Sequence, residues 1–335
     1  MTVLAMPDKI SRIERALNAL APHEASCALC PRDCRVDRRK GPAGVCQSGA
    51  WAGVSTGLLH YGEEPVLSGP SGRVAVGGRA PRGSGTIFFT GCNLKCLFCQ
   101  NFQISWECRG RTLTEENLAE LMLELQAQGA YNINLVSPTH VIVPILRALL
   151  LAAARGLTIP IVYNSNGYDK IDVIEHLAGI IDVYLPDLKY HAPAISKRYS
   201  GAADYFSHAS LAVQEMFVQQ PDLILDENDM AQRGLIIRHL LLPGQVEDSM
   251  SVLDWIARTL PPGTAVSLMS QFHPCYKAPD ELCRPLAPEE YRTVLDGARG
   301  LGLSPLFFQP EVFRPGEHLV PDFERPEPFL WRPRK

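Results

Sequence analysis

From residue 84 onward the chain alternates short apolar runs with amphipathic ones, and this alternation restricts the fold more than any other feature. Thr86–Thr90 reads as a buried strand, followed by further strands at 133–136, 159–163, 181–185, 235–242, 265–269 and a short one at 304–308. Helices are predicted between them, at 114–129, 140–155, 169–177, 207–219, 247–260 and 288–300. The helix after residue 114 carries the clearest start signal, with Thr114 as N-cap, two acids in the first turn and Gly129 as its end. Alternating strand and helix units imply a parallel sheet with helices outside it. About six such units make an open or partial barrel rather than a full eight-fold one. Three segments are therefore expected. Residues 1–83 hold an N-terminal helix (8–20, with Ser11 and Glu14 as a capping box), a cysteine-rich knuckle and Gly-rich hairpins and loops. Residues 84–309 form the partial barrel, and 310–335 a Pro-rich tail that wraps the surface.

Polar residues gather just after the strands, where α/β barrels place their chemistry. Ser137, Thr139 and His140 follow the second strand, Asn164 and Asn166 the third, and Asp187 and Lys189 the fourth. Ser270, Gln271 and His273 follow the sixth, and Gln309 the seventh. After the first strand comes GCNLKCLFCQN, with Cys92, Cys96 and Cys99 in the spacing C-x3-C-x2-C. A closed tetrahedral metal site takes four ligands. Three thiolates on an iron–sulfur cluster leave one iron with an open position for a reacting ligand. A structural zinc loop or a redox thiol set is the plainer reading of the same residues.

Four further cysteines, Cys27, Cys30, Cys34 and Cys46, stand at C-x2-C-x3-C-x11-C, with Gly41–Gly44 supplying turns between the last two. They suggest a second metal site, either zinc or a second [4Fe–4S] cluster, though some could be plain buried thiols. Cys108, Cys275 and Cys283 stand apart, and Cys275 is a weak catalytic candidate. Ten cysteines without an apolar leader point to a reducing, cytoplasmic setting. The net charge is −4 and the pI is near 6.2, which gives no reason to expect nucleic acid as a partner. No uninterrupted apolar run is long enough to span a membrane.

The triplet of cysteines directly after a barrel strand, with the aromatic Phe98 before the last of them, resembles the signature of the radical S-adenosylmethionine (SAM) superfamily. GSGTIFFTGCNLKCLFCQN, NINLVSPTH, IVYNSNGY, YLPDLKY, IIRHLLLPG and VSLMSQFHPCYKA resemble the blocks of its pyruvate formate-lyase activating enzyme-like branch, over roughly residues 27–309. The resemblance implies a partial (β/α)6-type radical SAM barrel and a [4Fe–4S] cluster on Cys92, Cys96 and Cys99. It further implies reductive cleavage of SAM to a 5′-deoxyadenosyl radical that abstracts hydrogen from a substrate. By the same resemblance Phe98 lies against the adenine, and Asn164 and Asn166 bond ribose or carboxylate oxygens. Lys189, in its Asp187-x-Lys189 context, meets the cofactor carboxylate, and His273 bonds cofactor or substrate or simply packs at the barrel mouth. Arg238, inside the fifth strand, either meets that carboxylate or forms a structural ion pair. The superfamily's Gly-Gly-Glu after the second strand is missing, which leaves Ser137 and Thr139 as candidates for the cofactor amine. The implied partners are an electron donor such as flavodoxin or ferredoxin and a glycyl radical enzyme as target. The alternatives are a small molecule or another protein residue as target, or a non-catalytic iron–sulfur sensor.

Overall fold

A computed structural model describes residues 6–69, 82–308 and 320–329. Gln309 and most of the expected tail lie outside the described residues. In chain order the elements are α1 (Met6–Leu20), β1 (Ala52–His60), α2 (Pro65–Ser68), β2 (Ser84–Phe89), α3 (Phe102–Ser105), β3 (Arg111–Leu113), α4 (Glu115–Ala127), β4 (Ile133–Val136), α5 (Ile142–Ala154) and β5 (Ile161–Asn164). They continue with α6 (Ile171–Glu175), β6 (Val183–Tyr184), α7 (Pro193–Ser200), α8 (Tyr205–Gln219), β7 (Ile224–Leu225), β8 (Ala231–Leu240), α9 (Val246–Thr259), β9 (Ala265–Met269), α10 (Pro288–Gly300) and β10 (Leu306–Phe308).

Strands β2, β4, β5, β6, β8, β9 and β10 lie side by side and parallel, with no pairing between β10 and β2. The sheet is an open α/β arc, as the strand–helix alternation predicts. Leu118, Met122 and Leu125 give α4 its buried stripe, and Thr114 caps it by accepting from the Asn117 N–H at 3.2 Å. Helix α5 is buried on most of its surface because α1 and α4 both pack on it. α1 begins at Met6, so Ser11 lies inside the helix and is not its cap.

Residues 51–69 differ from the expected hairpins and loops. β1 is a nine-residue strand, antiparallel to β2, that extends the sheet beyond the parallel arc. Its glycines look like turn signals but answer to close packing. A Cβ on Gly53 would stand 2.1 Å from Thr90 Oγ1, and one on Gly57 2.8 Å from the Leu121 side chain. β1 ends with His60 opposite Ser84, the first residue of β2, which brings the chain to the N-terminal end of the barrel. There α2 acts as a cork. Val66 and Leu67 join Val162, Val183, Leu185, Ile236 and Ala265 in a small apolar cluster, and the Asn132 side chain donates to the Leu67 carbonyl at 2.8 Å. Residues 320–329 run along the same edge of the sheet, from Gln103, whose side chain accepts from Phe323 N–H at 2.7 Å, to Phe329, which meets the rings of His60 and Phe88 at 4.2 and 5.3 Å.

Candidate active site

The cysteine loop leaves β2 at its C-terminal end. Gly91 has φ +77°, and a Cβ there would stand 2.2 Å from the Cys46 carbonyl oxygen, so only glycine lets the N-terminal knuckle approach this loop. Each thiol of the triplet meets a polar neighbour. Asn166 Nδ2 donates to Cys92 Sγ at 3.2 Å, the Ser200 hydroxyl to Cys96 Sγ at 3.0 Å, and Cys99 Sγ lies 3.1 Å from Ser105 Oγ. Ser200 comes from α7, a helix that the sequence reading did not foresee. Its end holds the loop through Leu97 N–H to Tyr199 O at 2.8 Å. Burial first, and then the neighbouring Cys96 sulfur, push the Cys92 thiol up to about 11 and Cys99 up to about 12. A coordinated cation reverses that, because it ionises the thiol outright.

Cys96, Cys99 and Phe98 face a cavity of about 1140 Å³ that runs down the barrel lumen. Its wall carries a set of paired charges. Arg238, on β8, reaches three partners: Nε to Asp187 at 2.9 Å, Nη2 to Asn164 and Nη1 to Glu63 at 3.4 Å. Lys189 Nζ donates to the other Asp187 oxygen at 2.5 Å. Burial alone would raise the Asp187 pKa, but Arg238 and Lys189 outweigh it and hold the carboxyl below its usual value. The Tyr205 hydroxyl, from α8, ties the loops after β5 and β6 together. It donates to the Asn166 and Asp187 carbonyls and accepts from Lys189 N–H. Gly167, at φ +82°, makes this possible, since a Cβ there would collide with the Asp187 carbonyl oxygen at 2.1 Å.

The predicted residues do not all converge. Asn164, Asp187, Lys189, Arg238, Phe98 and His273 share the cavity. Asn166 turns instead to Cys92 and Asn93. Thr139 is fully occupied elsewhere, donating to Asp169 Oδ1 at 2.7 Å and lying 3.4 Å from the Tyr163 hydroxyl, and neither it nor Ser137 lines the cavity. Ser137 sits at φ +57° with its N–H on the Asn164 carbonyl. The Cys275 thiol donates to the Phe98 carbonyl at 3.4 Å, and burial pushes it up to about 12, which suits a packed thiol and not a nucleophile.

In the N-terminal knuckle, Arg38 is buried against two of the four sulfurs, donating to Cys27 at 3.0 Å and Cys46 at 3.2 Å. Burial pushes the nearby Cys30 up to about 12. The knuckle docks on the cysteine loop, with Arg32 donating to the Asn93 carbonyl at 2.8 Å. Among the described residues no group of three or more His, Cys, Asp or Glu side chains is close enough to hold a single metal ion. A cluster, whose irons each take their own thiolate, needs wider spacing, and the three-thiol donor set of the loop suits it.

Glu63 and Glu64 gave no signal in the sequence, because they stand in a Gly-rich stretch with no strand end to mark them. The structure places both on the cavity wall, just before the cork helix.

Residues 86–209 match the family described as the radical SAM superfamily. An uncharacterised protein of Methanocaldococcus jannaschii is 30% identical over 293 residues, covering 84% of this chain and 77% of that protein. The chain belongs to the radical SAM superfamily. Among solved structures it is similar to Streptococcus suis SuiB bound to S-adenosylmethionine, with TM-score 0.45 and 15% identity over 69% of this chain. It is similar also to methylornithine synthase PylB, with TM-score 0.41 and 16% identity over 65% of this chain and 68% of that one. The chain spans 49% of the SuiB chain. The family implies an enzyme that uses a [4Fe–4S] cluster and S-adenosylmethionine, and the three thiols of the loop, two of them on the cavity wall, fit that cluster. Among the described residues no helix is long and apolar enough to cross a membrane.

Proposed function

We propose that this protein uses SAM-derived radical chemistry to take a hydrogen atom from a substrate held in the barrel lumen. The observation that carries this reading is the convergence of Cys96, Cys99, Lys189, Arg238 and Asp187 on one cavity. When bound, the cluster and SAM supply a reducing electron and a 5′-deoxyadenosyl radical. The chain's own residues do the rest. Cys92, Cys96 and Cys99 hold the cluster. Lys189 and Arg238, kept charged by Asp187, offer donors to a carboxylate, and Asn164 is oriented by Arg238 to accept or donate beside them. Phe98, packed edge-on to Phe272 with centroids 5.6 Å apart, gives an apolar face for the adenine. Residues 320–329 cover part of the lumen and limit the access of water to a reactive radical.

The charge-lined lumen supports a small polar molecule, or one side chain, as substrate. The sequence blocks that resemble the activating-enzyme-like branch support a second reading, activation of a glycyl radical enzyme. Both need an electron donor such as flavodoxin or ferredoxin. The four thiols of the knuckle, docked on the cysteine loop, support a second cluster as relay more than a zinc staple. The test is 5′-deoxyadenosine formation by anaerobically reconstituted, reduced protein given SAM. Product that disappears in Cys96→Ala is expected. A protein that holds its cluster yet neither binds nor cleaves SAM would overturn the reading in favour of a sensor.

A further inference from the structure

The lower half of the lumen has a charge pattern that the cofactors do not account for. Glu63 and Glu64 rise from the cork at the N-terminal end of the barrel, opposite the cysteine loop. Glu64 is 8% exposed, and its Oε2 has no hydrogen-bond partner. Asn134, on β4, is fully buried beside Glu63, toward which its amide N–H group can donate, while its carbonyl oxygen has no hydrogen-bond partner. Native proteins rarely leave buried polar atoms unpaired, so the free oxygens of Glu64 and Asn134 await a partner.

The charges identify it. Of the four carboxylates that line the cavity, Glu327 is exposed at its edge, and Glu63, Glu64 and Asp187 are the ones that surround Arg238, with Lys189 as the second cation. Lys189 is engaged by Asp187, and Arg238 is divided among Asp187, Glu63 and Asn164. Among the described residues, this leaves one buried carboxylate more than there are cations around it. Burial is also the first cause that lifts both glutamic acids above their ordinary range. A bound cation with several donors would satisfy the unpaired oxygen of Glu64, the second acid and the Asn134 carbonyl oxygen together.

We infer that Glu63 and Glu64 bind a primary ammonium group of the substrate. An ammonium carries three donors and no acceptor, which suits this acceptor set. The site defines the substrate class as an amine whose charged end sits on the cork and whose carbon chain extends upward to the cysteine loop. The inference rests on the reading of the lumen as the substrate chamber.

The test is titration calorimetry on the full-length, cluster-loaded protein without reductant, with pentylamine as probe and pentan-1-ol as its neutral isostere. Pentylammonium is expected to bind at least tenfold more tightly than the alcohol. Glu64→Gln should weaken it tenfold or more, Glu63→Gln likewise, and the exposed Glu227→Gln not at all. Equal binding of amine and alcohol, or amine binding untouched by both Gln variants, would overturn the site. Should Glu64→Gln fail to fold by circular dichroism, Glu63→Gln and the comparison of the two probes on the unaltered protein still decide. No step depends on SAM cleavage. A protein that binds the amine but neither binds nor cleaves SAM would refute the radical reading and leave the ammonium site standing.

Discussion

Arg238 shows how much of this site rests on single side chains. Strand alternation and the resemblance left two roles open for it, cofactor ligand or structural ion pair, and the structure gives it three acceptors at once. Its guanidinium fork reaches in three directions, which a lysine ammonium on a flexible stem cannot reproduce. Arg238→Met should therefore cost about 3–5 kcal/mol, because Glu63 would stay buried without a cation and Asp187 would keep only Lys189. Arg238→Lys should recover only part of that loss, and urea denaturation of the two variants measures both. Tyr205 is the second such residue. Tyr205→Phe keeps the ring but removes the one hydroxyl that serves the Asn166 and Asp187 carbonyls and the Lys189 N–H. We expect about 1–3 kcal/mol of destabilisation in the same assay, the usual result of orphaning buried polar groups. A loss below a few tenths would show that the hydroxyl is dispensable to the two loops.

At the scale of elements, the parallel strands were legible because each is a short apolar run bounded by a helix with its own periodic stripe. The triplet Cys92, Cys96 and Cys99 was legible because its spacing is local. What escaped was structure whose signal lies in tertiary contacts. β1 was hidden by Gly53 and Gly57, whose missing side chains make room for Thr90 and Leu121. α7 was hidden by Pro193, here at the start of a helix where its missing N–H costs nothing. The commitment of Thr139 to Asp169 follows from β4 and β5 being neighbours, a fact that no local pattern carries. The cork α2 is the extreme case, four residues long and meaningful only inside a barrel. Its Leu67 is fully buried. Leu67→Ala should cost about 2–5 kcal/mol through transfer and cavity effects. Iron content should be unchanged, since the cysteine loop is at the other end of β2. Loss of the cluster in this variant, read from iron analysis, would show that the two ends of the barrel are coupled.

At the scale of the whole molecule, buried titratable groups set how the fold responds to acid, and they pull in opposite directions. His140 joins three parts of the chain. Its Nε2 lies 2.8 Å from the Thr90 carbonyl, placing the proton on that nitrogen, and its own carbonyl accepts from Arg38 at 2.6 Å. Burial lowers its pKa from 6.5 to about 4. Burial does the same to His60, which also falls to about 4 beneath Phe329. Between those values the unfolded chain takes up protons that the folded one refuses, so these histidines make stability fall as the pH drops from about 6.5 to 4. Glu63 and Glu64 act the other way. Their raised values give a contribution that is present in acid and lost as the pH rises through them. Asp187, held below its usual value, adds stability that disappears only in stronger acid. The net curve mixes these terms, but a difference separates them. His140→Gln keeps a donor for Thr90 and cannot titrate. It should be less stable than the unaltered protein near pH 7, with the gap narrowing as the pH approaches 4. Paired denaturation curves across that range read the gap directly. A gap independent of pH would mean that His140 titrates alike in the folded and unfolded chain, and that the Arg38-bridged junction between knuckle and barrel is open to water.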